Sequence, residues 1–69
     1  MKLSARNVLK GKVVAVKKGS TTAHVKIEIA SGQVVTSAIT NDSVDALGLK
    51  VGGEAYAVIK SSDVIIAVD

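Results

Sequence analysis

Three short segments of the 69-residue sequence place hydrogen-bond donors close together. One carries a hydroxyl, a guanidinium and an amide, one carries an ammonium with two hydroxyls, and one carries hydroxyls where a helix is predicted to begin: Ser4-Ala5-Arg6-Asn7, Lys60-Ser61-Ser62 and Thr40-Asn41-Asp42-Ser43. A tetrahedral dianion needs many donors, some of them charged, and helix N-termini favour negative charge. Together the segments predict an oxyanion site, although each alone could be a solvated terminus, a polar turn or a helix cap.

Catalytic and metal-binding chemistry finds little support in the composition. The chain has no cysteine and one histidine, His24, so it offers neither thiolate ligands nor a multi-histidine metal site within one chain. A serine or threonine nucleophile needs an adjacent base, and His24 lies in an alternating strand pattern typical of a solvated strand residue. Gly52-Gly53 precedes a strand pattern and not a helix, which argues against a phosphate-binding loop. We therefore expect no enzyme.

The elements that must position the donor segments are mainly strands. Val, Ile and Thr account for 22 residues, and proline is absent, so glycine and Asn/Asp/Ser clusters must separate the strands. Apolar runs and alternating patterns predict five strands: Leu9–Lys18, Thr22–Ile29, Val34–Ile39, Glu54–Lys60 and Val64–Val68.

One short helix is predicted between the third and fourth strands. Val44 and Leu47 are three residues apart, Asn41 or Asp42 precedes them as an N-cap, and Gly48 follows where a helix would end. Five strands with this helix predict an all-β fold, a five-stranded OB-like barrel that forms a single domain over residues 1–69.

The small size of the chain predicts a homo-oligomer. A domain of this length buries only about 60% of the surface that its unfolded chain exposes. Disulfides are excluded, and Val13 to Val16 is apolar on both faces of a strand. Association with further copies is the remaining source of buried surface.

No apolar run approaches the roughly 18–20 residues that span a membrane, and the longest is Val64–Val68. The N-terminus has no apolar stretch of the secretory kind. We expect a cytoplasmic protein with no membrane partner.

A nucleic-acid-binding OB-like module is the alternative function. The net charge of +3 suits anionic partners, but such modules stack bases on aromatic side chains, and Tyr56 is the one aromatic residue. We therefore expect no nucleic-acid partner. A third possibility, a regulatory or assembly domain of a larger protein, fits poorly with a chain that begins at Met1 and ends with its last predicted strand.

The sequence resembles the molbindins, molybdate-binding proteins built from a Mop-type, TOBE-like domain, over essentially its whole length. The segments that carry the resemblance are Ser4-Ala5-Arg6-Asn7, Leu9-Lys10-Gly11-Lys12-Val13, Lys18-Gly19, Ala38-Ile39-Thr40, Asp42-Ser43-Val44, Leu47-Gly48-Leu49, Gly52-Gly53 and Ala57-Val58-Ile59-Lys60-Ser61. The resemblance implies a homohexamer organised as a trimer of dimers. It also implies non-catalytic binding and storage of molybdate or tungstate between subunits, with no organic cofactor and no direct side-chain coordination of the metal.

The resemblance also assigns the site residues. It implies oxyanion contacts from Ser4, Ala5 (through its backbone), Arg6, Thr40, Ser43, Lys60 and Ser61. Many family members have Ala-Pro-Trp where this chain has Ser61-Ser62-Asp63, so Ser61 contacts the anion through its side chain or through its backbone N–H. The family has a second class of site near a three-fold axis, for which Lys18, Gly19 and Ser20 are the candidates here. A pocket made only of donors predicts similar affinity for molybdate and tungstate and poor affinity for phosphate, whose hydroxyl needs an acceptor.

Overall fold

The computed structural model describes residues 1–69, which form one curled, antiparallel sheet of four strands and one short helix. The strand order is β3-β2-β1-β4, so β3 and β4 are the two edges of a half-barrel. The elements in chain order are β1 Asn7–Lys18, β2 Thr22–Ile29, β3 Val34–Thr40, α1 Asn41–Leu47, β4 Glu54–Ile59 and a 3₁₀ turn Ser61–Asp63.

A β-bulge interrupts β1 and explains its unusual apolar pattern. Val13 pairs with Ile27 and Ala15 pairs with Lys26, so Val14 is an extra residue on β1. Val13 is buried, whereas Val14 is exposed. Bulges bend a strand and increase its twist. The apolar run Val13 to Val16 therefore marks a change of register within the chain and is not by itself a sign of two covered faces.

β1 and β2 approach each other closely at Gly11. A Cβ atom at this position would lie 2.5 Å from the carbonyl oxygen of Glu28 and 2.5 Å from Cγ2 of Ile27. Contacts this short are not tolerated, and one of the two atoms belongs to the backbone. Glycine is therefore required here for the two strands to stay paired through the curl of the sheet.

The hydrophobic core is small. Five of the 69 residues are buried, and they are Val13, Ala23, Val25, Ile27 and Val44. The three from β2 alternate along the strand, as predicted, and Val44 brings α1 against the same face. So small a core leaves a single chain with little hydrophobic stabilisation.

The caps of α1 differ in part from the sequence prediction. Gly48 adopts the left-handed conformation at the C-terminus, with φ +62°, as expected. The N-cap is Thr40, whose Oγ1 accepts a hydrogen bond of 3.0 Å from the backbone N–H of Ser43. The prediction of Asn41 or Asp42 was therefore wrong. Thr40 ends β3 and caps the helix at once, and Asn41 instead donates its side-chain amide to the Gly19 carbonyl.

The first four predicted strands are confirmed, with ends that differ by at most two residues, but the fifth is not formed in this chain. Val64–Val68 pairs with neither edge strand. Ile65 and Val68 are each 92% exposed, and Ile66 is 82% exposed. The single chain is thus a four-stranded half-barrel and not a five-stranded barrel, because nothing hydrogen-bonds its last apolar segment to the sheet.

An open groove runs between the two edges of the sheet. It has a volume of about 730 Å³ and is lined mostly by hydrophobic side chains, among them Val25, Ile39, Leu49, Ala57 and Ile59. The groove therefore leaves much of the concave face of the half-barrel uncovered. Neither helical segment has the length and apolar character that crossing a bilayer would require.

Candidate oxyanion site

A polar cavity of about 650 Å³ lies at the end of the sheet where β1 begins and β4 ends. Eight residues line it, and two of them are hydrophobic: Ser4, Ala5, Arg6, Val58, Lys60, Ser61, Ser62 and Asp63. Two of the three donor segments recognised in the sequence thus meet here. They bring together five of the seven residues assigned to the first site.

The pairing of β1 with β4 positions the two cationic side chains. Asn7 lies opposite Ile59, and its side-chain amide donates a hydrogen bond of 3.2 Å to the Ile59 carbonyl. This bond ties the start of β1 to the end of β4. Continuing the register by one residue places Arg6 opposite Lys60, so a guanidinium and an ammonium extend from neighbouring points into one cavity.

The donors at this cavity are not used elsewhere in the chain. Arg6 and Lys60 take part in neither of the two salt bridges. The side chains of Ser4 and Ser61 make no hydrogen bond within the chain. The backbone N–H groups of Ser61 and Ser62 are not among the donors of the backbone hydrogen bonds formed outside the strands and α1. The reason is that the first N–H groups of a helical turn have no partner within the turn. The cavity therefore presents two full charges together with neutral hydroxyl and amide donors.

A carboxylate that the sequence analysis did not assign also lines this cavity. Asp63 closes the 3₁₀ turn, and its N–H donates a hydrogen bond of 2.9 Å to the Lys60 carbonyl. The sequence signal was its position three residues after Lys60, since one 3₁₀ turn returns the chain to the same side. This cavity therefore includes an acceptor, unlike the pocket made only of donors that the sequence analysis expects.

Thr40 and Ser43 do not line this cavity and lie at the opposite end of the sheet. Thr40 pairs with Thr22, next to the end of β1 at Lys18. A straight strand of 12 residues would span roughly 36 Å, and the longest dimension of the chain is 35 Å. The hydroxyl of Thr40 donates a hydrogen bond of 2.8 Å to that of Ser43. Within one chain, these two residues and Arg6 cannot contact the same small anion.

The residues suggested for a second site lie beside this helix end. The Lys18 ammonium is 2.6 Å from a carboxylate oxygen of Asp45, and the Gly19 carbonyl accepts a hydrogen bond of 3.0 Å from the Asn41 side chain. Oδ1 of Asn41 is buried and makes no hydrogen bond. Ser20 lies in the adjoining turn. A second anion site at Lys18, Gly19 and Ser20 stays a prediction.

Metal-ligating side chains are not clustered in the chain. No group of three or more His, Cys, Asp or Glu side chains is placed to hold a metal ion. The polar cavity instead offers cationic and neutral donors, with one carboxylate among them. Its chemistry suits an intact oxyanion and not a bare metal cation.

Comparison with known proteins identifies one family. The TOBE domain model matches residues 3–66. The chain is 64% identical over 66 residues to molybdenum-pterin-binding protein 3 of Clostridium pasteurianum, and the match covers 96% of this chain and 97% of that protein.

Two solved structures share the fold. MopII of Clostridium pasteurianum, in an apo form, superposes with a TM-score of 0.92 at 57% identity, over 97% of this chain and all of that chain. The cytoplasmic molybdate-binding protein ModG, with molybdate bound, superposes with a TM-score of 0.91 at 45% identity. That match covers 94% of this chain and 46% of ModG, so the chain corresponds to about half of ModG.

Proposed function

Because this chain belongs to the TOBE-domain family of molybdenum-pterin-binding (Mop) proteins, the molbindins, we propose that it binds and stores molybdate and tungstate between the subunits of a homo-oligomer. Its role is binding and not catalysis, as in the molybdate-binding proteins that it resembles. The observation that carries the proposal is the polar cavity, in which Arg6, Lys60 and unused hydroxyl and amide donors converge. By analogy with ModG, the protein acts in the cytoplasm.

The composition of the cavity favours the oxyanion itself over a pterin. A dianion gains charge-assisted hydrogen bonds from Arg6 and Lys60, and these are stronger than neutral hydrogen bonds. A flat pterin ring would call for an aromatic surface, and none of the lining residues is aromatic. Tyr56, the one aromatic residue, lines the apolar groove instead. The same lack of stacking surface argues against the nucleic-acid alternative.

A site between subunits would allow residues from the two opposite ends of the sheet to contact the same anion. The family resemblance assigns Thr40 and Ser43 to the same anion as Arg6 and Lys60, yet they lie at opposite ends of β1. Two copies packed so that the polar cavity of one meets the helix end of the other would bring both sets together. A symmetric assembly would then repeat the site at each such contact.

The unpaired apolar segment supports assembly by a second route. Val64–Val68 has the length and composition of a strand and is exposed, while β3 and β4 are unpaired edges with an open, mostly apolar groove between them. Insertion of this segment from a second copy would complete a five-stranded OB-like barrel. Repetition of such contacts would build the predicted homohexamer, a trimer of dimers.

Equilibrium dialysis of the full-length chain tests the ligand. Molybdate is equilibrated with the protein alone and in the presence of tungstate, sulfate, phosphate or a metal-free pterin. Bound molybdenum is measured by elemental analysis. We expect saturable binding of molybdate, competition by tungstate on nearly equal terms and no competition by the pterin. Absence of saturable molybdate binding, or displacement of molybdate by the pterin at similar concentration, would contradict the proposal. Light-scattering mass in the same solutions tests the oligomer, and a monomer at micromolar concentration would contradict that part.

A further inference from the structure

One acidic side chain lies among the cations of the polar cavity. Asp63 lines the same cavity as Arg6 and Lys60, and it takes part in neither salt bridge of the chain. Its carboxylate is therefore not neutralised by a fixed partner within the chain. An anion in this cavity therefore lies among residues that carry two positive groups and one negative group.

The backbone fixes the position of this carboxylate relative to the cations. Lys60 precedes the 3₁₀ turn and Asp63 ends it, and the 2.9 Å hydrogen bond from the Asp63 N–H to the Lys60 carbonyl closes the turn. The bond returns the backbone of Asp63 to the backbone of Lys60, as one 3₁₀ turn does. Asp63 and Lys60 therefore line the same cavity.

An ionised carboxylate accepts hydrogen bonds and donates none. Beside an oxyanion without a proton, such as molybdate or sulfate, Asp63 adds repulsion and no hydrogen bond. Beside an oxyanion that keeps one hydroxyl, such as phosphate or arsenate, Asp63 accepts a charge-assisted O–H hydrogen bond. The carboxylate therefore acts with opposite sign on the two kinds of tetrahedral anion.

We infer that Asp63 is a specificity-determining residue of this cavity, which sets how strongly the site prefers fully deprotonated oxyanions over those that keep one proton. The inference rests on the proposed oxyanion site and adds its selectivity. With Asp63 present, the difference in binding affinity between molybdate and phosphate is smaller than it would be in a pocket made only of donors. Molybdate and tungstate also differ from phosphate in size. Sulfate is similar in size to phosphate, so a comparison of these two anions isolates the effect of the proton.

The test uses sulfate and phosphate as a matched pair at mildly alkaline pH, where both are dianions of similar size and only phosphate carries a hydroxyl. Each competes with molybdate for the full-length protein in equilibrium dialysis. Asp63→Asn keeps the size of the side chain and removes its charge. We expect the variant to bind sulfate and molybdate more tightly, and the affinity of phosphate relative to sulfate to fall about tenfold.

Two further variants serve as controls. Asp63→Glu keeps the carboxylate and should stay closer to the parent protein than Asp63→Asn. Glu28→Gln removes an exposed carboxylate on the outer face of β2, away from both the cavity and the helix end, and should leave the phosphate-to-sulfate ratio unchanged. An unchanged ratio in Asp63→Asn, or an equal shift in Glu28→Gln, would overturn the inference and leave the oxyanion site intact. Failure of the parent protein to bind molybdate would instead overturn the proposed function.

Discussion

The two ends of the sheet use their polar residues in opposite ways. At the helix end, Thr40 caps α1 through the Ser43 N–H, and Lys18 pairs with Asp45. At the cavity end, Arg6 and Lys60 have no ionic partner in the chain. The helix end uses its cation and its capping hydroxyl in internal bonds, although the buried Oδ1 of Asn41 makes none, and the cavity end leaves its cations available.

This difference shows which groups a ligand or a second subunit can recruit without first breaking a bond. Recruiting the cavity end breaks no internal interaction, so a charge-assisted contact there is offset only by the loss of hydration and of side-chain freedom. Recruiting the Thr40 hydroxyl adds a contact to a group that already accepts one hydrogen bond and donates another. Removal of a cavity cation should therefore affect ligand binding alone, whereas changes at the helix end should also affect folding.

The largest effect is expected from placing charge on the exposed C-terminal segment. Ile65→Asp combined with Ile66→Asp should leave the half-barrel folded, since both side chains are largely exposed within one chain. If the segment is buried against another copy, the unpaired charges should abolish assembly and reduce the light-scattering mass toward the 7.0 kDa of one chain. Molybdate binding should fall with it. Val51→Asp, at a turn residue that is 65% exposed, is the matched control. An unchanged oligomer in the double variant would contradict the assembly.

The next largest effect is expected at the two cavity cations. Arg6→Ala and Lys60→Ala should each weaken molybdate binding by at least tenfold, because removing a charged partner from a desolvated contact costs about 2–5 kcal/mol. The free energy of unfolding should change little, since both side chains are exposed. Isothermal titration calorimetry and denaturant unfolding measure the two quantities. Lys26→Ala, on the outer face of β2, is the control for general charge. Equal weakening in Lys26→Ala would count against a localised site.

Thr40 should show a mixed effect. Thr40→Ala removes the N-cap of α1 and should lower the free energy of unfolding by about 1 kcal/mol. If Thr40 of one subunit also contacts the anion, molybdate affinity should fall as well, by no more than about tenfold for one neutral hydrogen bond. Thr40→Ser keeps the hydroxyl and should restore both quantities. Loss of stability with unchanged affinity would restrict Thr40 to its capping role.

The smallest effect is expected from the exposed pair at the helix end. Lys18 and Asp45 have side chains that are 45% and 66% exposed, and such pairs contribute at most about 1 kcal/mol. Asp45→Ala should therefore change the denaturation midpoint only slightly. Lys18→Ala should do the same and, if the second site lies at this turn, should lower the number of molybdate ions bound per chain. Unchanged stoichiometry in Lys18→Ala would place any second site elsewhere.

Strand positions could be predicted because alternation of side chains is a local property. The pattern from Ala23 to Ile29 determines which face of β2 is buried, and the structure has that face inward. The bulge at Val14 could not be predicted, because a pairing register depends on a second strand as well as the first. The spacing of Asp63 after Lys60 was a local signal that the sequence analysis missed, but its place in one cavity with Arg6 depends on how β1 pairs with β4.

The sequence by itself determined the four paired strands, the helix with its glycine end, the absence of thiols and of a multi-histidine metal site within one chain, and the donor segments around Arg6 and Lys60. These follow from residue type and near-neighbour spacing. Only the tertiary structure decided that Arg6 and Lys60 share a cavity, that Asp63 lies there too, and that Thr40 is at the other end of β1. It also decided that Val64–Val68 has no partner strand within the chain. A strand needs hydrogen-bonding groups from elsewhere to pair with, so its own residues can favour an extended conformation but cannot specify which edge, or which copy of the chain, will complete it.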